Sequence, residues 1–289
     1  MIKVGQIQSL WRYPVKGMSG ESLSACHIDE NGIEGDRLWC VRDVMRQEIQ
    51  SCKFRPALLS CIAQFRQAAD ASVHSPVDIL FPDGTRLGSD DPNINTQISD
   101  LLGHDSTIEP QRSIKELDFY RRHKKDDHTW LTELKATFER EAGEALPDLD
   151  NLPQSAQEFV SLPGTFFLVS PLHLVTTATL AQLKSDYDDG DWEVSRFRPN
   201  LVIETLPELT GLVEQDWVGK RLVIGNTRID CNGTTPRCGA VAKSQQGMKQ
   251  DNQILRTIVQ KADQNLGIYG ETLTAGDIQV GDEVYLVDA

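Results

Sequence analysis

The sequence has no long hydrophobic run, and no secretory leader is expected. Among its 289 residues, no stretch approaches the roughly 20 consecutive apolar residues that a membrane-spanning helix requires. Residues 1–6 lack the charged segment, apolar stretch and cleavage site of a signal peptide. We therefore expect a soluble, cytoplasmic protein that does not bind membranes.

Paired cysteine motifs are also absent. The cysteines show neither a C-x-x-C pair nor the paired spacing of a zinc site, and reduced thiols are expected in a long chain without a leader. The sequence also lacks a dinucleotide-binding glycine motif, a P-loop, an H-E-x-x-H pair and a G-x-S-x-G turn. The cysteines are Cys26, Cys40, Cys52, Cys61, Cys231 and Cys238.

Basic residues are outnumbered, with 29 Lys and Arg against 43 Asp and Glu and a net charge of -14. An acidic surface repels phosphate backbones, so nucleic acid is not an expected partner. The hydrophobic fraction of 39% and the charged fraction of 25% are typical of soluble globular proteins. The length suits one large domain or two modest ones.

Short apolar runs separated by turn residues predict a mostly β fold. Residues 2–10 alternate as in a strand, and Asn31-Gly32 marks one of the turns that follow. Leu131, Leu134 and Phe138 have helical spacing within a polar stretch. We expect an α+β, mostly β protein with a β module over residues 1–112, a helical insertion and linker over residues 113–160, and a second β region over residues 161–289.

The second β region carries further local signals. Residues 166–169 predict a short buried strand, and Ser170 with Pro171 is a typical N-cap and first residue of a helix. A hairpin is expected over residues 222–231. Asp251 is expected to cap another helix.

A run of charged residues occupies positions 121–128. Its two histidines, His123 and His128, are five positions apart, whereas i,i+4 spacing would put two imidazoles on one helix face. A solvated face is therefore favoured over a metal site.

Cys238 is the strongest candidate for chemistry. It follows Arg237 in a turn-rich segment, and a neighbouring guanidinium favours the thiolate that attacks electrophiles or binds soft metals. Two alternatives stay open. The cysteine can be a small buried structural residue, or a hydrolase nucleophile whose base is His173, the histidine nearest in sequence.

Basic residues stand beside Gly and Pro in four short stretches, where a loop can surround an anion. Individually, Lys16 can simply be exposed, and Arg37 can pair with Asp36 or Asp43. Arg196 and Arg198 can be ordinary surface charges or structural ion pairs. Together the stretches suggest a multiply charged anionic ligand. They are Tyr13-Pro-Val-Lys16-Gly17, Gly32-Ile-Glu-Gly-Asp-Arg37, Arg196-Phe-Arg198-Pro-Asn200 and Pro236-Arg237-Cys238.

In this order the four stretches resemble the MOSC family, which is named after the C-terminal domain of molybdenum-cofactor sulfurase and includes the mitochondrial amidoxime-reducing component. The likeness covers nearly the whole chain. Residues 1–110 resemble the N-terminal β-barrel module of the family, and residues 164–286 resemble the MOSC β-barrel. The most specific marks are Phe197-Arg198-Pro199-Asn200 and Arg237-Cys238 at this separation.

The resemblance implies a pterin-bound molybdenum cofactor, Mo-molybdopterin, whose metal is ligated by one protein cysteine. Carried over, Cys238 is the metal ligand and the catalytic residue. Gly17 stands where relatives often have Ser, and Lys53 where Arg is common. Pyridoxal phosphate is not expected. The implied cofactor-binding residues are Lys16, Gly17, Arg37, Thr165, Arg196, Arg198, Asn200 and Arg237.

The resemblance further implies reduction of N-hydroxylated small molecules such as amidoximes, hydroxylamines and N-hydroxylated bases. The sequence lacks the cysteine spacing of the plant-type iron–sulfur domain of some relatives, so electrons are expected from a separate flavin or iron–sulfur protein. Residues 239–246 depart from relatives, which leaves substrate preference open. Two alternatives remain: a carrier that binds the cofactor, or sulfur on Cys238, without turnover, and a scaffold that has lost the ligand.

Overall fold

The computed structural model describes residues 1–67, 72, 75–123, 129–152 and 154–289. His128 and most of the charge run before it lie outside these ranges, so the prediction for that run stays a prediction. The described part is mostly β, which confirms the expected fold class. None of its helices is long and apolar enough to cross a membrane.

The described strands number seventeen. They are β1 (Ile2–Arg12), β2 (Glu21–Leu23), β3 (Ala25–Asp29), β4 (Gly32–Ile33), β5 (Trp39–Asp43), β6 (Glu48–Ile49), β7 (Ile62–Phe65), β8 (Val77–Leu80), β9 (Arg86–Gly88), β10 (Ser106–Pro110), β11 (Leu172–Thr176), β12 (Leu201–Thr205), β13 (Lys220–Ile224), β14 (Thr227–Pro236), β15 (Asn265–Thr274), β16 (Gly276–Gln279) and β17 (Glu283–Asp288).

Helices are fewer and shorter. The described α-helices are α1 (Ile94–Leu102), α2 (Leu117–Tyr120), α3 (Thr129–Ala136), α4 (Gln154–Glu158), α5 (Thr177–Asp186), α6 (Val194–Phe197) and α7 (Asn252–Lys261). Short 3-10 turns occupy Pro56–Ser60, Val213–Trp217 and Gly239–Ala242.

Seven strands close into a barrel. They follow the order β12-β11-β15-β14-β13-β17-β1, and β1 pairs back to β12. Strands β11 and β12 are parallel, whereas the other neighbouring pairs are antiparallel. The first strand of the chain therefore completes a barrel whose other strands all come after residue 171. How the chain divides into domains stays a prediction.

Branched apolar side chains fill this barrel. Strand β1 buries Val4, Ile7 and Leu10 there, and facing strands add residues such as Ile229 and Ile268. Register shifts in the pairing of β1 with its neighbours break the strict alternation of its side chains. Burial of this core drives closure, since each buried aliphatic side chain contributes roughly 1.5–3 kcal/mol of transfer free energy.

The N-terminal module has a core of its own. Two three-stranded sheets, β10-β5-β6 and β7-β8-β9, pack with α1 around Val41, Ile79 and Phe81. This module carries Lys16, which follows β1, and Arg37, which precedes β5. The packed core of this module therefore supports two of the predicted basic stretches, which lie outside the barrel.

The insertion forms a small apolar cluster against the barrel. Helix α3 contains Leu131 and Leu134, as their spacing predicts, and Phe138 lies just beyond its end. Leu134, Phe138 and Leu149 are buried together, and Cys238 packs against them. The insertion therefore lies next to the candidate cysteine.

The local prediction for residues 166–176 is wrong. Residues 166–169 form a loop rather than a strand, and Pro171 precedes strand β11 rather than a helix. The next helix, α5, begins only at Thr177. Pairing of β11 between β12 and β15 supplies backbone hydrogen bonds and burial that override the local capping signal.

Two other local predictions are confirmed. Strands β13 and β14 form the expected hairpin, in which Ile224 pairs with Thr227. Helix α7 begins after Asp251, whose Oδ1 accepts a hydrogen bond from the Gln253 backbone N–H at 2.9 Å. In both cases the signal is local and agrees with the surrounding packing.

Candidate functional site

One cavity brings the basic stretches together. Its volume is about 220 Å³, and its lining includes the thiol of Cys238. Among the described residues, no Asp or Glu lines it, although the chain carries a net charge of -14. We call this space the cationic cavity, and its basic residues are Lys16, Arg37, Lys53, Arg122, Arg198 and Arg237.

Lys16 reaches the cavity from the loop that follows β1. Its Nζ donates to the Phe166 carbonyl at 2.7 Å. Burial, and next the charge of Arg37, lowers the pKa of Lys16 to about 7. The following residue, Gly17, has φ +86°, and a Cβ there would lie 3.2 Å from the Cys52 backbone N. A serine at this position would be strained, which accounts for glycine.

Tyr13 and Asp36 organise two of the arginines. The Tyr13 ring lies 4.3 Å from the Arg198 guanidinium carbon and 5.4 Å from that of Arg37. The buried Asp36 carboxylate pairs with Arg37 and accepts from the Tyr13 backbone N–H at 2.7 Å. Asp36 also accepts from the Asn200 Nδ2 at 3.1 Å. The expected pairing of Arg37 with Asp36 is therefore present, and it holds Arg37 at the cavity.

Arg37 and Arg198 share an unusual backbone conformation. Their φ angles are 53° and 57°, in the left-handed region. This conformation costs a residue with a side chain roughly 1–2 kcal/mol. Such strain persists only where the surroundings enforce it and is concentrated at functional sites.

Asn200 lines the cavity, but its polar atoms are used by the protein. Its Oδ1 accepts from the His173 backbone N–H at 3.2 Å, and its Nδ2 donates to the Trp11 carbonyl at 3.2 Å as well as to Asp36. Asn200 thus ties β1, β11 and the loop of Arg37 together. Its contacts make it a positioning residue.

Arg237 contributes a buried cation that is only partly satisfied. Its Nη2 donates to the Phe197 carbonyl at 2.7 Å, whereas its buried Nε has no partner among the described residues. Burial lowers the pKa of both Arg237 and Arg198. Cations that have lost water without gaining a carboxylate favour the binding of an anion.

His173 lies in the same cavity and is held neutral. Burial, and next the charge of Arg237, lowers its pKa to about 3. Its Nε2 lies 3.1 Å from the Leu266 carbonyl oxygen, and its Nδ1 lies 3.4 Å from the Arg198 carbonyl oxygen. Such a weakly basic imidazole is a poor general base at neutral pH. The arrangement does not support the hydrolase alternative for Cys238.

Cys238 is partly exposed, so the alternative of a fully buried structural cysteine does not describe it. Cys238 precedes the 3-10 turn Gly239–Ala242. Two hydrogen bonds with the insertion hold the backbone around this turn. The Gly239 N–H donates to the Thr137 carbonyl at 2.8 Å, and the Arg140 Nη2 donates to the Arg237 carbonyl at 3.0 Å. The backbone on both sides of the thiol is therefore anchored.

Two predicted site residues do not line the cationic cavity. The Arg196 guanidinium is buried and donates to backbone carbonyls, including those of Asp191 at 3.0 Å and Val241 at 3.1 Å. Thr165 donates its Oγ1 to the Leu162 carbonyl at 2.9 Å. Arg196 thus fixes the loop that follows Cys238. Residues 166–170, rather than Thr165, line the cavity.

Other lining residues were not among the predicted site residues, although Lys53 was noted as standing where relatives commonly have Arg. Cys52-Lys53 repeats in reverse the pairing of a thiol with a basic residue seen at Arg237-Cys238, so the same logic could have found it. Tyr269 has no such signal, because only the pairing of β15 brings it here. In the described part of the chain, no group of three or more His, Cys, Asp or Glu residues could hold a metal ion.

Taken together, the closed barrel and the cavity define a class of β-barrel protein with a partly exposed thiol inside a cation-lined cavity. Comparison with known families identifies the class further. Residues 4–102 match the MOSC N-terminal beta barrel domain, and residues 163–285 match the MOSC domain. The chain therefore belongs to the MOSC-domain family.

Individual relatives are distant. Mitochondrial amidoxime reducing component 2 of Bos taurus is 23% identical over 303 residues, which cover 98% of this chain and 83% of that protein. The YUAD protein of Bacillus subtilis, a solved structure, covers 99% of this chain and 97% of its own at 12% identity, with a TM-score of 0.44. YiiM of Geobacillus stearothermophilus covers 41% of this chain and 54% of its own at 19% identity, with a TM-score of 0.31.

Proposed function

We propose that the chain binds the molybdenum cofactor in the cationic cavity, with Cys238 as the protein ligand of the metal, and reduces N-hydroxylated compounds. MOSC domains are associated with this cofactor. The observation that carries the proposal is the charge pattern of the cavity: six basic residues and a partly exposed thiol, with no carboxylate among the described lining residues, in an acidic chain.

The residues present fit an anionic, pterin-bound metal. Lys16, Arg37, Arg198 and Arg237 would hold its phosphate and other oxygens, because burial desolvates Lys16, Arg198 and Arg237. The Arg237 Nε also lacks a partner among the described residues. A cysteine thiolate is a soft, electron-donating ligand of the kind that such a metal takes.

When bound, the cofactor supplies two-electron redox chemistry at the metal. The reaction is balanced if an N–OH group takes up two electrons and two protons, its N–O bond breaks, and an N–H group and water are formed. The role of the protein is to hold the cofactor, to place the N–OH group beside Cys238 and to limit water. The electrons would come from a separate flavin or iron–sulfur protein.

The test combines metal content with turnover. Protein produced in a host that makes the cofactor is expected to contain about one molybdenum and one pterin per chain and to reduce benzamidoxime with an artificial electron donor. Cys238→Ser should reduce this turnover to background. A molybdenum-loaded protein that reduces no N-hydroxylated compound would instead support the cofactor carrier. A chain that takes up neither metal nor pterin would support the alternative of a scaffold that has lost the ligand.

A further inference from the structure

A second cavity opens beside the cationic cavity and differs from it in character. Its volume is about 400 Å³, within the usual range for small-molecule sites. Insertion residues Leu134, Phe138, Leu149 and Leu152 form one wall, and Pro236 at the end of β14 lies opposite. We call this space the apolar cavity.

The two cavities are adjacent. Lys53, Leu134, Leu168 and Tyr269 are among the residues that line both of them. Cys238 packs against the Leu134, Phe138 and Leu149 cluster that forms the apolar wall. The thiol lines the cationic cavity and packs against the wall of the apolar cavity, so a molecule held in the apolar cavity would lie close to Cys238.

Charged and polar groups also line the apolar cavity, namely Lys53, Arg122, Asp148, Glu271, Ser170, Asn232 and Thr234. The Lys53 Nζ sits 5.2 Å from the centre of the Phe138 ring, and Arg122 stacks over Trp130 at 4.8 Å while its Nε donates to the Ala156 carbonyl. These cations are already engaged with rings or backbone. The leucine-rich wall offers no hydrogen-bonding side chain to a ligand.

We propose that the apolar cavity binds the aromatic or alkyl body of an N-hydroxylated substrate while the N–OH end reaches the cationic cavity beside Cys238. This inference rests on the proposed function. It selects amidoximes and aryl hydroxylamines with sizeable apolar bodies over N-hydroxylated bases. The polar ring edges of a base would lose water against the leucine-rich wall, which offers them no hydrogen bonds in return.

Leu168 offers the sharpest variant, because it lines both cavities while its exposed fraction of 37% makes a polar replacement tolerable to the fold. Leu162 is a matched control in the same loop, with an exposed fraction of 39% and no place in the lining of either cavity. Leu152→Asn tests the insertion wall in the same way. Thermal melting of each variant checks that the fold is retained.

The experiment measures kcat/KM for acetamidoxime, benzamidoxime, 4-butylbenzamidoxime and an N-hydroxylated purine with cofactor-loaded protein. Each methylene that becomes buried should raise kcat/KM roughly fourfold. Leu168→Asn and Leu152→Asn should lower kcat/KM for the butyl compound roughly tenfold relative to kcat/KM for acetamidoxime. Leu162→Asn should behave as the unaltered protein.

Binding is measured separately, by calorimetry on the loaded protein without an electron donor. Equal affinity for all four compounds, or the same response of Leu168→Asn and Leu162→Asn, would overturn the inference and leave the reductase intact. If no compound is reduced, the proposed function fails, and the calorimetric order alone decides whether the cavity selects apolar bodies. A preference for the purine in either measurement also overturns it.

Discussion

The two cavities that meet beside Cys238 differ in origin and in chemistry. The cationic cavity is lined by loops next to the barrel strands and by the N-terminal module, and its basic residues lie beside turn residues in the sequence. The apolar cavity is walled by the insertion, whose leucines have no recognisable motif. Local sequence therefore encodes the ligand site, whereas tertiary packing creates the neighbouring apolar cavity.

Removing a cation from the first cavity should have the largest effect. Arg237→Met should weaken cofactor retention by a factor of about 30 or more, because loss of a partner from a buried charge contact typically costs 2–5 kcal/mol. The readout is pterin and molybdenum per chain after dialysis. Arg221→Met is the control, since Arg221 pairs with Asp230 away from both cavities. Equal retention by both variants would show that charge does not hold the cofactor.

The contact between the insertion and the cysteine loop should come next. A Cβ at Gly239 would lie 2.4 Å from the Glu139 carboxylate carbon. Gly239→Ala should therefore lower the free energy of unfolding by about 1 kcal/mol, because the Glu139 carboxylate must move away from its pair with Lys243, and should lower turnover with it. Adding Glu139→Ala should restore part of the stability in denaturant titrations. A Gly239→Ala protein as stable as the original would contradict this anchoring.

The pH dependence of anion binding is expected to be smaller and to come from Lys16. Its folded pKa of about 7 lies below its unfolded value of 10.5, so an anion that restores the charge must bring a proton with it above pH 7. Sulfate affinity of cofactor-free protein should fall at most tenfold per pH unit between pH 7 and 10, and Lys16→Met should flatten the profile. A profile unchanged in Lys16→Met would rule out this assignment.

The same pKa values predict the trend of stability. Between pH 7 and 10.5 the unfolded Lys16 binds more protons than the folded one, so its contribution to stability rises with pH. His173, with a folded pKa of about 3 and an unfolded value of 6.5, contributes stability that is lost as the pH falls below 6.5. Urea titrations of the cofactor-free protein and of His173→Asn at pH 7 and 5 would reveal the difference, and identical losses in both would contradict it.

The difference in thiol labelling between the cationic cavity and the buried core should be the smallest of these effects. Cys238 and Cys52, which line the cationic cavity, are partly exposed, whereas Cys40, Cys61 and Cys231 are buried. Burial also raises the pKa of Cys61 and Cys231 to about 12. Iodoacetamide and mass spectrometry should therefore label the first two thiols in native protein, and bound cofactor should protect them. Labelling of Cys231 before Cys238 would be inconsistent with the barrel.

The sequence indicates much of the cationic cavity because its residues lie next to Gly and Pro in loops. It cannot indicate Tyr269, which arrives through strand pairing, or the internal use of Arg196, which depends on carbonyls of distant loops. The error at Ser170-Pro171 has the same cause, because a local capping pattern carries no information about the barrel strands that flank residues 172–176. Local signals predicted the structure correctly only where tertiary packing favours the same structure, as at the helix cap Asp251.

The bond between the Cys238 sulfur and the metal is the central claim, and X-ray absorption at the molybdenum edge examines it directly. The account predicts that molybdenum in the loaded protein has one more sulfur neighbour than in Cys238→Ser produced and loaded in the same host. An unchanged number of sulfur neighbours in that variant would contradict it.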